Sequence, residues 1–175
     1  MYYYLVASLP TLVIGDPPPF PPDTYLGRCA DFLKPDDHRE LALVLAGRAS
    51  EGAAEISRQW FASDTQLRNA VSRQRAARWN VEAGPHQKSH PGFSTYVEKA
   101  ATDAFAKATP LEREMELDRF RWALLDDLAR AEPFGLPGVI AYGLKLNMAG
   151  RWAALTEAAG RGRLNELVDS MMKTT

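Results

Sequence analysis

His86 and His90 stand four residues apart, a spacing that on a helix turns two imidazoles toward one metal ion. They fall among Gly84, Pro85 and Pro91, which interrupt a helix, and no third ligand of suitable type is near, so the pair reads as two solvated loop histidines. Asp126 and Asp127 are adjacent and therefore point about 100° apart on a helix, which denies them the role of a paired-carboxylate acid/base site on their own. Cys29 has no histidine or basic cluster beside it to lower its thiol pKa and is expected to pack in a core. Gly160 and Gly162 lie at a helix end, not before a helix start where glycines cradle phosphate. The remaining enzymatic possibility is a site assembled from distant residues such as His38, Asp126 and Arg151. The residues thus predict a protein without catalytic machinery, cofactor or metal.

Arginine is the other residue type with chemistry to offer. Residues 58–79 hold Arg58, Arg68, Arg73, Arg75 and Arg78 against one acid, Asp64, with Trp60 and Trp79 toward the ends. Such a segment suits a nucleic-acid backbone or an acidic protein surface. Residues 112–132 carry seven acids against four arginines, so the simpler use is antiparallel packing of the basic helix near the acidic one. The formal net charge of -1 supplies no overall attraction to nucleic acid or anionic lipid. Leu67, Arg68, Asn69 and Leu144, Lys145, Leu146, Asn147 echo each other in placing a base and an asparagine after a leucine. Arg121 beside Trp122, and Arg151 beside Trp152, are candidates for a partner-facing rim on core helices.

These side chains must be positioned by helices. In residues 110–132, Leu117, Phe120, Leu124, Leu128 and Ala131 mark one face of a 3.6-residue period, and Leu111, Met115, Trp122, Leu125 and Ala129 mark a second. Thr109 and Pro110 start this helix, and Pro133 with Gly135 stops it. Ala141, Leu144, Met148, Trp152, Leu155 and Ala159 form the next stripe, with Trp122, Tyr142 and Trp152 as expected core anchors. After the turn at Gly160 and Gly162, a last helix of Leu164, Leu167, Val168, Met171 and Met172 is expected to fold back.

Upstream, Tyr2 to Val6 suits a short strand, an extended arm or a first helix. Five prolines between Asp16 and Pro22 make a stiff connector. Short helices follow over 22–33 and 38–46. Residues 50–79 have helical character with a seam of Ile56, Trp60, Ser63, Leu67, Ala70, Gln74 and Ala77, and the capping-box pattern from Ser63 to Gln66 allows a break there. Residues 80–93 form a loop between helical halves, and a helix of small residues resumes over 94–108.

The expectation is an all-α single domain over 1–175, a helical bundle with an extended or short-strand, Pro-rich N-terminal arm over 1–22 and a filled core. At 175 residues and 46% hydrophobic content it can bury that core without disulfides, which a single cysteine also excludes. No apolar stretch approaches the ~20 residues that span a bilayer, and no basic residue precedes the Tyr2–Leu9 run as in a signal peptide. A cytoplasmic protein is expected, at most peripheral to a membrane through partners.

Four segments, MYYYLVASLPTL, DRFRWALLDDLA, PFGLPGVIAYGLKLNMAGRW and GRGRLNELV, resemble a family of short bacterial proteins encoded beside V/A-type ATPase subunits. That family is similar in turn to the all-helical socket component of those ATPases, which sits on the cytoplasmic face of the rotor ring and receives the foot of the central stalk. The resemblance implies an all-helical, non-catalytic protein at the junction of central stalk and membrane rotor ring, with stalk and rotor-ring subunits as partners. This chain is much shorter than the socket component and lacks its threefold internal repetition. The resemblance puts Arg121, Lys145, Asn147 and Arg151 on the partner surface, beside Arg68, Asn69, Arg73 and Arg75 from the arginine-rich helix. The alternative is an independent helical adaptor or regulator that binds protein or nucleic acid through that helix.

Overall fold

The computed structural model describes residues 1–173, and the side chains of all of these except 157–159 and 173. Among the described residues there are eight α-helices and no strand: α1 (Tyr3–Ser8), α2 (Asp23–Cys29), α3 (Pro35–Leu45), α4 (Glu55–Trp79), α5 (Thr95–Phe105), α6 (Pro110–Ala129), α7 (Leu136–Ala154) and α8 (Glu157–Lys173). The chain is an all-α single domain. None of these helices is long and apolar enough to cross a membrane.

Local chemistry sets the boundaries. Thr109 and Glu112 form the reciprocal capping box that opens α6, with Pro110 in the first turn, where a missing N–H costs nothing. Asn80 closes α4 in the left-handed conformation at φ 53°. The break expected near Ser63 is absent, and α4 runs 25 residues without interruption. The reason is tertiary: the Gln66 side chain donates to Ser94 O at 2.8 Å and accepts from Ser94 N at 3.0 Å, so it serves the start of α5 instead of capping its own helix. Asn69 likewise clasps Lys88, donating to its carbonyl at 2.7 Å and accepting from its amide at 2.9 Å, which ties the 80–93 loop to α4.

The apolar residues divide into two adjoining clusters. One collects α1 to α3, the start of α4, the end of α6 and α7 around Tyr25, Leu41, Leu125, Ile140 and Leu146. The other joins the second half of α4, α5 and the first half of α6 around Leu67, Ala101 and Leu117. Helices α4 and α6 pass through both and lie antiparallel, because Asp64 meets Arg121 at one end and Arg75 meets Glu114 at the other. That is the basic-on-acidic pairing its charge pattern predicts.

Several expectations need correction. The N-terminal stretch is a helix, not a strand or an arm, because Tyr2 N–H donates to Phe134 O and the Tyr2 hydroxyl to Asp37, while Leu5 is buried. The Pro-rich run beyond it does more than connect: Phe20 is buried against Tyr25 and Tyr142, with the Arg28 guanidinium 4.0 Å from its ring centroid. Trp122, Tyr142 and Trp152 are half-buried at the rim and do not anchor the centre, which belongs to Tyr25, whose hydroxyl donates to Val139 O at 2.9 Å. Finally, α7 ends at Ala154, Gly160 and Gly162 lie inside α8 and not at the expected turn, and α8 does not fold back. Leu164, Leu167, Val168, Met171 and Met172 are all exposed, and Ala159 lies outside the described side chains.

Candidate functional site

Where the two clusters meet, the bundle is open. A cleft of about 1110 Å³ runs along α4 and is walled by the end of α3, the first three turns of α6 and the second half of α7. A filled core is what the sequence predicts, and this opening departs from it. Its back wall is a chain of ion pairs. The Asp64 carboxylate accepts from Arg68 Nε at 2.7 Å and from Arg121 Nε at 2.8 Å. Arg121 reaches on to Asp118 Oδ1 at 3.0 Å, and Asp118 Oδ2 also accepts from Arg151 and from the Trp152 indole N–H at 2.8 Å. Asp118, 1% exposed, thereby fastens α6 to α7, and Arg121 carries the chain on to Asp64 of α4.

The electrostatics follow from the geometry. Burial disfavours the Arg121 charge, but Asp64 and Asp118 on either side outweigh it and hold the guanidinium pKa above its ordinary value. Arg121 is therefore a fixed cation held between two carboxylates. Both buried carboxylates are in turn held by cationic donors, an arrangement suited to fixing helices. Toward the mouth the arginines are looser. Arg68, Arg75 and Arg151 have side chains 72%, 64% and 50% exposed, and the Arg75 contact to Glu114 is 3.3 Å long. Arg78 donates to Phe105 O at the carbonyl end of α5, and Arg113 to Lys107 O and Ala108 O in the turn that follows it.

The residues predicted to form a partner surface separate into three places. Arg68, Arg75, Arg121, Asn147 and Arg151 come together in the cleft. Asn69 and Arg73 line a smaller hollow beside the 80–93 loop, where Arg73 pairs with Glu98. Burial tends to raise the Glu98 pKa, yet hydrogen bonds from Arg73 and Gln66 hold it below the usual carboxylate value. Lys145 stands apart again, paired with Asp126 and 5.1 Å from the Trp122 ring centroid, in a hollow beneath residues 6–12.

The enzymatic trio is not assembled. His38 contacts Leu26 O through Nε2 at 3.1 Å, Asp126 pairs with Lys145, and of the three only Arg151 lines the cleft. His86 lines the cleft mouth, and His90 lines the hollow beside the 80–93 loop. Among the described residues no three His, Cys, Asp or Glu side chains are grouped to hold a metal. Cys29 is buried, and burial pushes its thiol pKa up, away from reactivity.

A family model described as "Protein of unknown function (DUF2764)" matches residues 96–175. The match takes in α5 to α8, and with them Asp118, Arg121, Arg151 and Trp152 of the buried network. No curated protein and no solved structure matches the chain.

Asp118 is the functional-site residue that sequence reasoning passed over, although its signal was present. The second apolar row of α6 runs Leu111, Met115, Trp122, Leu125, and the turn between Met115 and Trp122 is filled by Asp118. An acid inside an apolar row, with an arginine three residues on, announces a buried ion pair.

Proposed function

We propose that this chain is a non-catalytic docking component of a V/A-type ATPase, working where the central stalk meets the membrane rotor ring, with stalk and rotor-ring subunits as its partners. The observation that carries the docking reading is α8. It leaves the bundle at the end of α7 and holds Leu164, Leu167, Val168 and Met171 in the i, i+3, i+4, i+7 pattern, with exposures of 61%, 56%, 46% and 71%. A helix arranged this way gains roughly 25 cal/mol for each Å² of apolar surface that a partner covers. The ATPase is named on the resemblance of the four sequence segments. The non-catalytic reading is supported by the structural use of Asp64 and Asp118, each held by donors from the same chain. A free-standing adaptor binding nucleic acid through α4 has less support, since that helix lies along the acidic α6 and the chain carries a formal net charge of -1.

The test is affinity copurification of the tagged chain from its native host, with ATPase subunits quantified by mass spectrometry. Stalk and ring subunits are expected with the unaltered chain and strongly depleted with Leu167→Asp. Absence of ATPase subunits from the unaltered sample overturns the proposal.

A further inference from the structure

The cleft differs from a small-molecule pocket in shape. On α4 its lining runs Trp60, Asp64, Arg68, Val71, Arg75 and Trp79, steps of four, four, three, four and four along a single helix face. At 1.5 Å per residue that face is roughly 29 Å long, the length of a helix of about 19 residues. The floor is apolar, with Val71 and Leu117 buried, Leu144 and Met148 along the α7 side, and Trp79 at one end 81% exposed to water. Six arginines and four carboxylates line the whole. Asp64 and Asp118 share Arg68, Arg121 and Arg151 in the back wall, and Glu114 is held by Arg75, so the lining as a whole keeps an excess of two positive charges.

From this shape and charge we propose that the cleft is a receptor groove for an amphipathic helix of a partner protein, one that carries carboxylates beside its apolar stripe. The inference deepens the docking reading and rests on it for the partner's identity, while the groove's chemistry stands by itself. The partner's apolar stripe lies against Trp60 and Met148, both half-buried, and is closed over by Trp79. Its carboxylates take the outward N–H groups of Arg68, Arg75 and Arg151. The exposed Arg75–Glu114 pair is weak enough to be exchanged for a better-placed acid.

The experiment uses the full-length chain and a fluorescein-labelled 18-residue peptide with leucines at alternating third and fourth positions and glutamates flanking them. A second peptide replaces each glutamate by lysine. Anisotropy titrations are expected to give at least about tenfold tighter binding of the glutamate peptide, weakening as salt rises. Arg75→Glu and Trp79→Ala, both at exposed positions that leave the core untouched, are each expected to weaken binding about tenfold or more, while Arg130→Glu, outside the cleft, does not.

Equal binding of the two peptides, no binding of either, or indifference to Arg75→Glu overturns the inference. It is also overturned if light scattering shows a dimer that Arg75→Glu dissociates, since a second copy then fills the groove, or if the peptide binds only after Leu167→Asp, since α8 of the same chain then does. Copurification distinguishes the two proposals. ATPase subunits retained by both Arg75→Glu and Trp79→Ala overturn the groove alone, and peptide binding without ATPase subunits overturns the ATPase reading alone.

Discussion

Replacing Asp118 by alanine tests the ion-pair wall most directly. Asp118 is 1% exposed and takes donors from Arg121, Arg151 and Trp152, so its removal strands three groups of unequal burial. Arg151, with half its side chain exposed, can rehydrate, and its loss contributes little. Arg121 cannot, since its side chain is 16% exposed, and it keeps only Asp64 as an ion-pair partner. Breaking a buried pair costs about 3–5 kcal/mol when the survivor has no other partner. With Asp64 still in place the lower end applies, and the unpaired indole N–H adds to it, giving about 3 kcal/mol in all. For a chain of this size that lowers the melting midpoint by roughly 6–12 °C. Urea unfolding followed by far-UV circular dichroism measures it, with an unchanged denaturant slope showing that the unfolded state is unaffected. Arg151→Ala alone is expected to cost about 1 kcal/mol, and the double variant less than the sum, because the two residues share one bond. The reasoning fails if Asp118→Ala lies within about 0.5 kcal/mol of the unaltered chain, or if Arg151→Ala costs more than Asp118→Ala.

Two further substitutions probe the elements around the cleft. Glu40 is buried and accepts from the Ala53 and Ala54 amides at 3.0 and 3.1 Å just before α4; burial raises its pKa, but these and the other donors around it hold it below the ordinary 4.5. A depressed carboxylate stabilises the fold above its unfolded pKa and loses that contribution as pH falls through the folded value, so Glu40→Gln is expected to cost about 1–2 kcal/mol at pH 7 and almost nothing well below pH 4, read from melting midpoints across that range. Gly143 faces the central tyrosine, and a methyl there would sit 2.8 Å from Tyr25 Cε1 and 3.0 Å from Leu45 Cδ2, so Gly143→Ala is expected to destabilise by about 1–3 kcal/mol despite its better helix propensity, checked by urea unfolding.

Much of the fold was legible because local and tertiary demands agree. The 3.6-residue stripe of α6, the Thr109–Pro110 start and the Pro133–Gly135 stop all act within a few residues of themselves, whereas the expected α7 stripe outruns its helix, with Leu155 beyond the end at Ala154 and exposed. The opposite charges of α4 and α6 gave their antiparallel pairing for the same reason. Where the sequence misleads, a distant partner has claimed the residue. Gln66 has the spacing of a cap for Ser63 but bonds Ser94, 28 residues on, so the helix continues. Tyr2 to Val6 suits a strand by composition, but among the described residues there is no strand to pair with, and Phe134 and Asp37 hold Tyr2 as the lead-in to a helix. The cleft was invisible because an opening is a property of how α3, α4, α6 and α7 splay, and no periodicity encodes it. Of its five predicted members, Arg68 and Arg75 come from the arginine-rich helix and Arg121, Asn147 and Arg151 from the resemblance, and the fold alone brought them to one place.

The buried network and the projecting helix are connected through α7. Arg151 and Trp152 stand in its last turn, which closes at Ala154, and both bond to Asp118 on α6. A helix end ordinarily frays, because its final carbonyls lack partners within the helix. Here two neighbouring side chains tie that turn to a carboxylate in the interior, just before the point from which α8 departs. This accounts for an otherwise costly choice, since a well-packed apolar trio at these positions would serve stability as well or better. An ion-pair wall instead specifies direction: a planar guanidinium and an indole N–H each accept only a narrow range of approach, where methyl groups would tolerate several.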